Sequence, residues 1–207
     1  MKAREPGMRG EKGEKRKQEL LKIAYRMFIS NGYEETSIDE IIAEAHIAKG
    51  TYYYHFPSKE ALLEEVISMM INDEVQQAKD VLAAPIPVPQ KLVGIIAALR
   101  PRQDESSIAD ALNKKENIIM HEKVSGRILE AAVPLLTEAV SEGIAQGMFT
   151  CDHISERVRM ILIMSQHLFD GGSFTEGDIE VFIDITEKTL GAPSGTLGFI
   201  RQLIVTK

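Results

Sequence analysis

The sequence has one cysteine, no tryptophan and few other aromatic residues. The single cysteine, Cys151, excludes an internal disulfide framework and is typical of a protein from a reducing cytosol. The most apolar run, residues 160–164, is much shorter than the roughly twenty residues that a membrane-spanning helix needs. Since the charged residues 1–17 contain no apolar h-region, they do not form a secretory signal, and we expect a cytoplasmic protein.

Patterns typical of a metal site or a catalytic centre are also missing from the sequence. The five histidines are scattered, and no two of them are four residues apart, the spacing that brings metal ligands together on a helix. No nucleophile, base and acid occur at a catalytic spacing. We therefore expect no enzyme activity, no metal and no cofactor.

The charge of the chain is distributed unevenly. The formal net charge is -7, yet residues 1–17 contain seven basic and only three acidic residues. A basic arm therefore precedes an acidic body. Two interpretations stay open: a solvated flexible tail, or an arm that contacts the DNA backbone or minor groove.

Apolar residues recur at helical spacing along nearly the whole chain, which predicts an all-α fold. Gly32 is placed to end the first helix in a left-handed conformation, and Ser37 with Glu40 forms a capping box at the start of the second. Pro57 separates the third helix from the fourth, and Pro134 should kink or split the helix that contains it. Helices are predicted at residues 15–30, 37–45, 48–54, 58–82, 90–100, 104–113, 116–146, 153–170 and 175–190.

Two short helices joined by a tight turn, over residues 37–54, are typical of a helix-turn-helix. In that motif the second helix enters the DNA major groove, which is about 12 Å wide. Lys49 is suited to donate to guanine O6 or N7, or to a phosphate. Gly50 permits a close approach of the backbone, and Thr51 offers a hydroxyl and a methyl group. Lys59 supplies charge at the start of the next helix, where a phosphate is favoured.

Aromatic residues surround the second helix of this motif and cannot all face one core. We expect Tyr53 and Phe56 to pack inward against the first helix. Tyr52, Tyr54 and His55 are then left for DNA, since a phenol hydroxyl that reaches a phosphate is a good use of an exposed tyrosine.

The stretch TSIDEIIAEAHIAKGTYYYHFPSKEALL, residues 36–63, resembles the DNA-binding segment of the tetracycline-repressor (TetR) family. The likeness covers about residues 14–66. The resemblance implies that Thr36, Ser37 and Ala48 also contact DNA.

Three residues depart from the TetR pattern. Ile42 replaces a small alanine, His46 replaces the glycine of the turn, and Ala48 replaces a serine that would cap the recognition helix. A left-handed conformation at His46 would cost about 1 kcal/mol relative to glycine.

The resemblance implies a homodimeric, all-helical transcription factor, usually a repressor, that binds a palindromic operator in double-stranded DNA. A small molecule, whose identity the sequence does not indicate, would bind the C-terminal domain and release the DNA. The fourth helix, residues 58–82, would act as the lever. The expected organisation is a flexible basic arm, a helix-turn-helix domain, a ligand-binding and dimerisation domain and a C-terminal tail, at residues 1–14, 15–60, 61–195 and 196–207.

The resemblance also implies that the last two helices form a four-helix bundle with the partner. The apolar face of the predicted helix 153–170 suits that role, with Val158, Ile161, Leu162, Ser165, Leu168 and Phe169. Candidates for the ligand pocket are adaptable methionines and two histidines: Met69, Met120, His121, Met164 and His167. An ordinary core or surface position is the simpler explanation for each of these five residues.

Two alternatives to a ligand-responsive repressor stay open. A constitutive DNA-binding protein would have a filled core in place of a pocket. An enzyme built on a helical bundle would need a catalytic constellation.

Overall fold

The computed structural model describes residues 7–100, 105–112, 118–169 and 174–205, and these residues form α-helices and no β-strand. The all-α prediction is therefore confirmed. None of the helices in these ranges is both long enough and apolar enough to span a bilayer. The helices are α1 (Gly7–Asn31), α2 (Ile38–Glu44), α3 (Lys49–His55), α4 (Lys59–Ala83), α5 (Val88–Ala98), α6 (Ser106–Leu112), α7 (Ile118–Ala145), α8 (Ile154–Phe169), α9 (Glu176–Leu190) and α10 (Ile200–Val205).

The described residues fall into two compact units. The first contains the residues up to Asn72 and those from 105 to Val124, and the second contains Asp73–Arg100 and the residues from Ser125 onward. The sequence places the end of the DNA-binding domain at residue 60. In the structure α6, which is distant in sequence, belongs to the same unit as the helix-turn-helix.

In the first unit, α6 is attached to α1 by hydrogen bonds as well as by apolar burial. The hydroxyl of Tyr25 donates to the carboxylate of Glu105 at 2.7 Å, and Ser107 Oγ donates to the carbonyl oxygen of Phe28 at 2.6 Å. Ile108, on the same short helix, is 1% exposed. The bond from Ser107 is a second hydrogen bond to the Phe28 carbonyl, which also accepts from the N–H of Gly32, and it ties α6 to the end of α1.

Helix boundaries agree with the sequence pattern at most ends. Gly32 follows α1 with φ 93°, and its N–H donates to the Phe28 carbonyl, as expected of a left-handed C-cap. Two predictions need correction. Helix α1 begins at Gly7 and not at residue 15, so residues 7–14 are helical. Helix α7 is continuous through Pro134, so the helix is not split there; the position is exposed, and water can replace the missing helical donor.

Parts of some predicted segments lie outside the described residues. These are residues 1–6 of the basic arm, the predicted helix ends at 104, 113, 116 and 170, and the last two residues of the tail.

The second unit has a continuous apolar core formed by α5, α8, α9 and α10 together with the end of α4 and most of α7. Phe169 and Phe182 lie edge to face within it, with ring centroids 5.1 Å apart. The C-terminal segment is part of this unit: α10 contacts both α5 and α9. The buried carboxylate of Glu187 accepts hydrogen bonds from the backbone N–H groups of Gly195 and Leu197, at 3.0 and 2.8 Å.

The turn after α9 requires glycine for two reasons. Gly191 has φ 64°, in the left-handed region, and its N–H donates to the carbonyls of Glu187 and Lys188. A Cβ atom at this position would also overlap the backbone carbonyl of Thr150. Gly147 has a similar φ of 74°, but no atom lies within 4 Å of the position that its Cβ would occupy.

We expect Gly191→Ala to destabilise the protein more than Gly147→Ala does. Both variants bear the cost of a left-handed alanine, roughly 1–2 kcal/mol, and only the first adds a backbone clash. Denaturant unfolding of the two variants and the wild type measures the difference. Equal losses of stability in the two variants would show that the backbone at Thr150 moves aside for the new methyl group at no cost in free energy.

Candidate nucleic-acid interface

A capping box fixes the start of α2. The N–H of Glu40 donates to Ser37 Oγ at 3.2 Å, and the N–H and hydroxyl of Ser37 donate to the Glu40 carboxylate at 2.7 and 2.8 Å. These bonds, first from the backbone and then from the side chain of Ser37, lower the pKa of Glu40. Ser37 stays exposed, so its hydroxyl is both a cap and a surface group.

The turn between α2 and α3 uses a left-handed histidine. His46 has φ 50°, as the comparison with the TetR pattern anticipates, and its side chain is exposed. Backbone bonds hold the turn: the N–H of His46 donates to the Ala43 carbonyl and that of Ile47 to the Ile42 carbonyl. These bonds, which close the end of α2, offset the conformational cost at His46.

Helix α3 is anchored by two aromatic side chains. It has only seven residues, and its N-cap, Ala48, makes no side-chain cap bond. Tyr52 is 0% exposed and Phe56 1% exposed, and the Tyr52 hydroxyl donates to the Ser58 carbonyl at 3.4 Å. Burial, and then the charges of Tyr53 and Glu60, raise the pKa of Tyr52 to about 12.

The inward and outward tyrosines of α3 are therefore reversed relative to the sequence prediction. Tyr52 faces the core and does not present its side chain to DNA, while Tyr53 is 44% exposed. The physical reason is helical spacing, since Tyr52 and Phe56 are four residues apart and share one face. Given that Phe56 is buried, this spacing in the sequence could have identified Tyr53 as the surface residue.

The outer side of α3 presents polar and aromatic groups. Tyr54 is 82% exposed, Lys49 and Gly50 are exposed, and Thr51 and His55 are half-buried. A Cβ on Gly50 would meet no atom within 4 Å, so nothing within the chain requires a glycine there. Close approach of an external surface is one role that Gly50 can fill.

Two predicted DNA-binding residues next to α3 are engaged within the chain. Thr36 is 0% exposed, and its hydroxyl bonds to the carbonyl oxygens of Gly32 and Met27 at 2.8 and 3.3 Å. The Thr36 side chain thus closes the end of α1 and does not reach DNA, which corrects the prediction. Lys59 donates to the Glu34 carbonyl at 3.3 Å, and its Nζ lies 4.2 Å from the ring centroid of Tyr33.

In the second unit, the face of α8 predicted for dimerisation needs a partial correction. Val158 and Phe169 are 4% and 6% exposed and belong to the core of their own unit. Ile161, Leu162 and Ser165 are half-buried, and Leu168 is 37% exposed. The most exposed large apolar side chains of α8 and α9 are Met160, Ile163, Leu168, Val181 and Ile185.

The five candidate pocket residues are divided between the units. Met69, Met120 and His121 lie in the first, and Met164 and His167 lie in the second, where His167 is exposed. An open groove of about 630 Å³ between α7 and α8 is lined by other residues. They are Glu130, Val133, Pro134, Thr137, Glu138, Ser141, Ser155 and Arg159. The five pocket residues remain predictions.

The helix-turn-helix geometry agrees with comparisons to known proteins. Residues 20–66 match the sequence profile described as bacterial regulatory proteins, tetR family. This segment therefore resembles the DNA-binding domain of the tetR family. The chain is 29% identical over 145 residues to the HTH-type transcriptional repressor KstR2 of Mycolicibacterium smegmatis, and the match spans 66% of this chain and 69% of that protein.

Other relatives share mainly the DNA-binding segment. The uncharacterized HTH-type transcriptional regulator YerO of Bacillus subtilis is 37% identical over 66 residues, and the match spans 32% of this chain but only 23% of that protein. Among solved structures, RolR in complex with resorcinol has a similar fold, with a TM-score of 0.60 and 16% sequence identity over 96% of this chain and 97% of that one.

The raised pKa of Tyr52 predicts how stability depends on pH. Because the neutral phenol is favoured in the folded state, the unfolded chain loses this proton first, near pH 10. The contribution of Tyr52 is therefore complete below about pH 10 and is lost as the pH rises towards 12.

We expect Tyr52→Phe to unfold with a shallower pH dependence than the wild type over this alkaline range. Urea unfolding at several pH values measures the free energy of unfolding. Tyr54→Phe, which removes a hydroxyl from the surface, is the control and should retain the wild-type steepness. Parallel curves for Tyr52→Phe and the wild type would contradict the assignment.

Proposed function

We propose that the protein is a transcriptional repressor that binds a palindromic operator in double-stranded DNA as a homodimer, acts in the cytoplasm and is released by a small molecule. The observation that carries the DNA-binding part is the two-sided character of α3. One side is fully buried through Tyr52, and the other presents Lys49, Gly50 and Tyr54 to solvent.

This outer side of α3 suits the major groove. Residues at the start of a recognition helix contact base edges, and Lys49 and Gly50 occupy that position. Tyr54 is suited to a phosphate contact, since phenol hydroxyls are common donors to the backbone of DNA. The protein as a whole is acidic, so the excess of basic residues within positions 1–17 would orient its N-terminal part towards the duplex.

Exposed apolar side chains on the last helices support the homodimer. Met160 and Ile163 on α8, with Val181 on α9, are each about half exposed or more. Helices α8 and α9 also contact each other. Two such pairs brought together would bury these side chains as a four-helix bundle, and large apolar groups left in water are a liability for a monomer.

Release by a small molecule needs a route from the helical domain to α3. Helix α4 continues from the first unit into the second, which supports the proposed role of residues 58–82 as a lever. A ligand must distinguish the two states of such an element, typically by 1–3 kcal/mol.

DNA binding is tested with an operator selected from a random duplex pool by the wild-type protein. We expect Lys49→Ala combined with Tyr54→Phe to fold and dimerise normally but to lose affinity for that operator, because two exposed donors on the outer side of α3 are removed. Fluorescence anisotropy measures the affinity. Lys79→Ala, which removes an exposed lysine of α4 in the second unit, is the charge control.

Unchanged operator affinity in the double variant would show that α3 does not lie in the groove. A selected complex that fractions of the cell's small metabolites fail to weaken would favour the constitutive alternative.

The homodimer is tested at the exposed face of α8. We expect Ile163→Glu to shift the protein from dimer to monomer, since a carboxylate would be buried in the bundle without a partner. Sedimentation equilibrium measures the mass. Ser194→Glu, in an exposed loop, is the control and should remain dimeric. A wild type that is monomeric at every concentration would contradict the proposed homodimer.

A further inference from the structure

Lys49 is held by a carboxylate of the neighbouring helix. Its Nζ donates to the Asp39 carboxylate at 3.0 Å, across the turn between α2 and α3. Both side chains are largely exposed, at 63% for Lys49 and 76% for Asp39. The hydrogen bond to Asp39, and then its charge, raises the pKa of Lys49.

Stability does not explain this pair. Ion pairs between exposed side chains contribute little to folding, since solvent screens them and two flexible side chains must be ordered. The packing of this region is supplied by buried residues, among them Ile41 on α2 and Tyr52 on α3. The carboxylate also places a negative charge beside the lysine that is best placed to meet phosphates.

The pair has a chemistry that suits a base pair better than a phosphate. An ammonium has three donors, so one bond to Asp39 leaves two, and guanine presents two acceptors, O6 and N7, in the major groove. The Asp39 carboxylate retains acceptor capacity, and an acidic side chain can accept from the N4 amino group of cytosine. A phosphate, in contrast, must compete with Asp39 for the charge of Lys49 and is repelled by the carboxylate.

We infer that Asp39 is a specificity-determining residue. It orients Lys49 for a G·C pair in the operator and limits the attraction of Lys49 to phosphates at other sites. The inference rests on the proposed DNA binding. It adds that Asp39 lowers the affinity for DNA of any sequence and raises the selectivity for the operator.

The test compares the wild type with Asp39→Asn, Lys49→Met and the double variant. Each is measured on a random-sequence duplex over a series of salt concentrations, and the two single variants are also used to select sites from a random pool. Glu35→Gln is the matched control, because it removes a carboxylate exposed in the turn before α2 that makes no ion pair with the described residues. Circular dichroism and thermal unfolding check that each variant retains the helix content and the stability of the wild type.

Opposite effects on general affinity are expected from the two single variants. Asp39→Asn should bind the random duplex several-fold more tightly, with a salt slope steeper by about one phosphate contact, because Lys49 is set free. Lys49→Met should bind it more weakly. Both should lose the preference for guanine at one position of the selected site.

The double variant separates the action of Asp39 through Lys49 from a simple loss of negative charge. The gain from Asp39→Asn should disappear when Lys49 is already replaced, and Glu35→Gln should give a smaller gain. An equal gain in both backgrounds, or an unchanged guanine preference in Asp39→Asn, would overturn the inference. If the wild type binds neither the random-sequence duplex nor a selected site, the proposed DNA binding is wrong. If the wild type binds DNA and only the effects of Asp39→Asn are absent, the inference alone is wrong.

Discussion

The burial of Tyr52 and Phe56 is the interaction on which the candidate DNA-binding surface depends. Helix α3 is too short to be stable alone, since isolated helices under about 12–15 residues are marginal in water. It also has no side-chain cap at Ala48. Full burial of an aromatic side chain stabilises by roughly 1.5–3 kcal/mol, so two such anchors on one face can hold the helix. The outer face is then free to vary without loss of the fold.

The sequence predicts most of the local structure of the DNA-binding region. The capping box of Ser37 and Glu40 and the left-handed Gly32 are short-range features, and both occur as expected. The side of α3 on which each tyrosine lies is harder to predict, because three consecutive aromatic residues are compatible with several orientations of the helix. Only the position of Phe56 relative to Tyr52 distinguishes them, and Tyr53 rather than Tyr52 is therefore at the surface.

Contacts that join distant parts of the chain could not be predicted from the sequence. Thr36 looks like an exposed residue at the start of a motif, yet its hydroxyl bonds to the carbonyl oxygens of Met27, near the end of α1, and Gly32, just after it. The ion pair of Asp39 with Lys49 depends on the angle between two helices, which no periodicity encodes. On α8 the same limit applies: apolar residues occur on two faces, and the core partners of Val158 and Phe169 decide which face is covered within the chain.

The attachment of α6 to α1 determines what a minimal DNA-binding fragment would have to contain. A fragment truncated after α4 would retain the whole helix-turn-helix but lose Glu105, Ser107 and the buried Ile108. The side of α1 against which α6 packs would then be open to water, and the carbonyl of Phe28 would lose the donor that Ser107 provides. The first unit is therefore assembled from separate stretches of sequence. A fragment made of its N-terminal stretch alone would expose apolar surface prone to self-association.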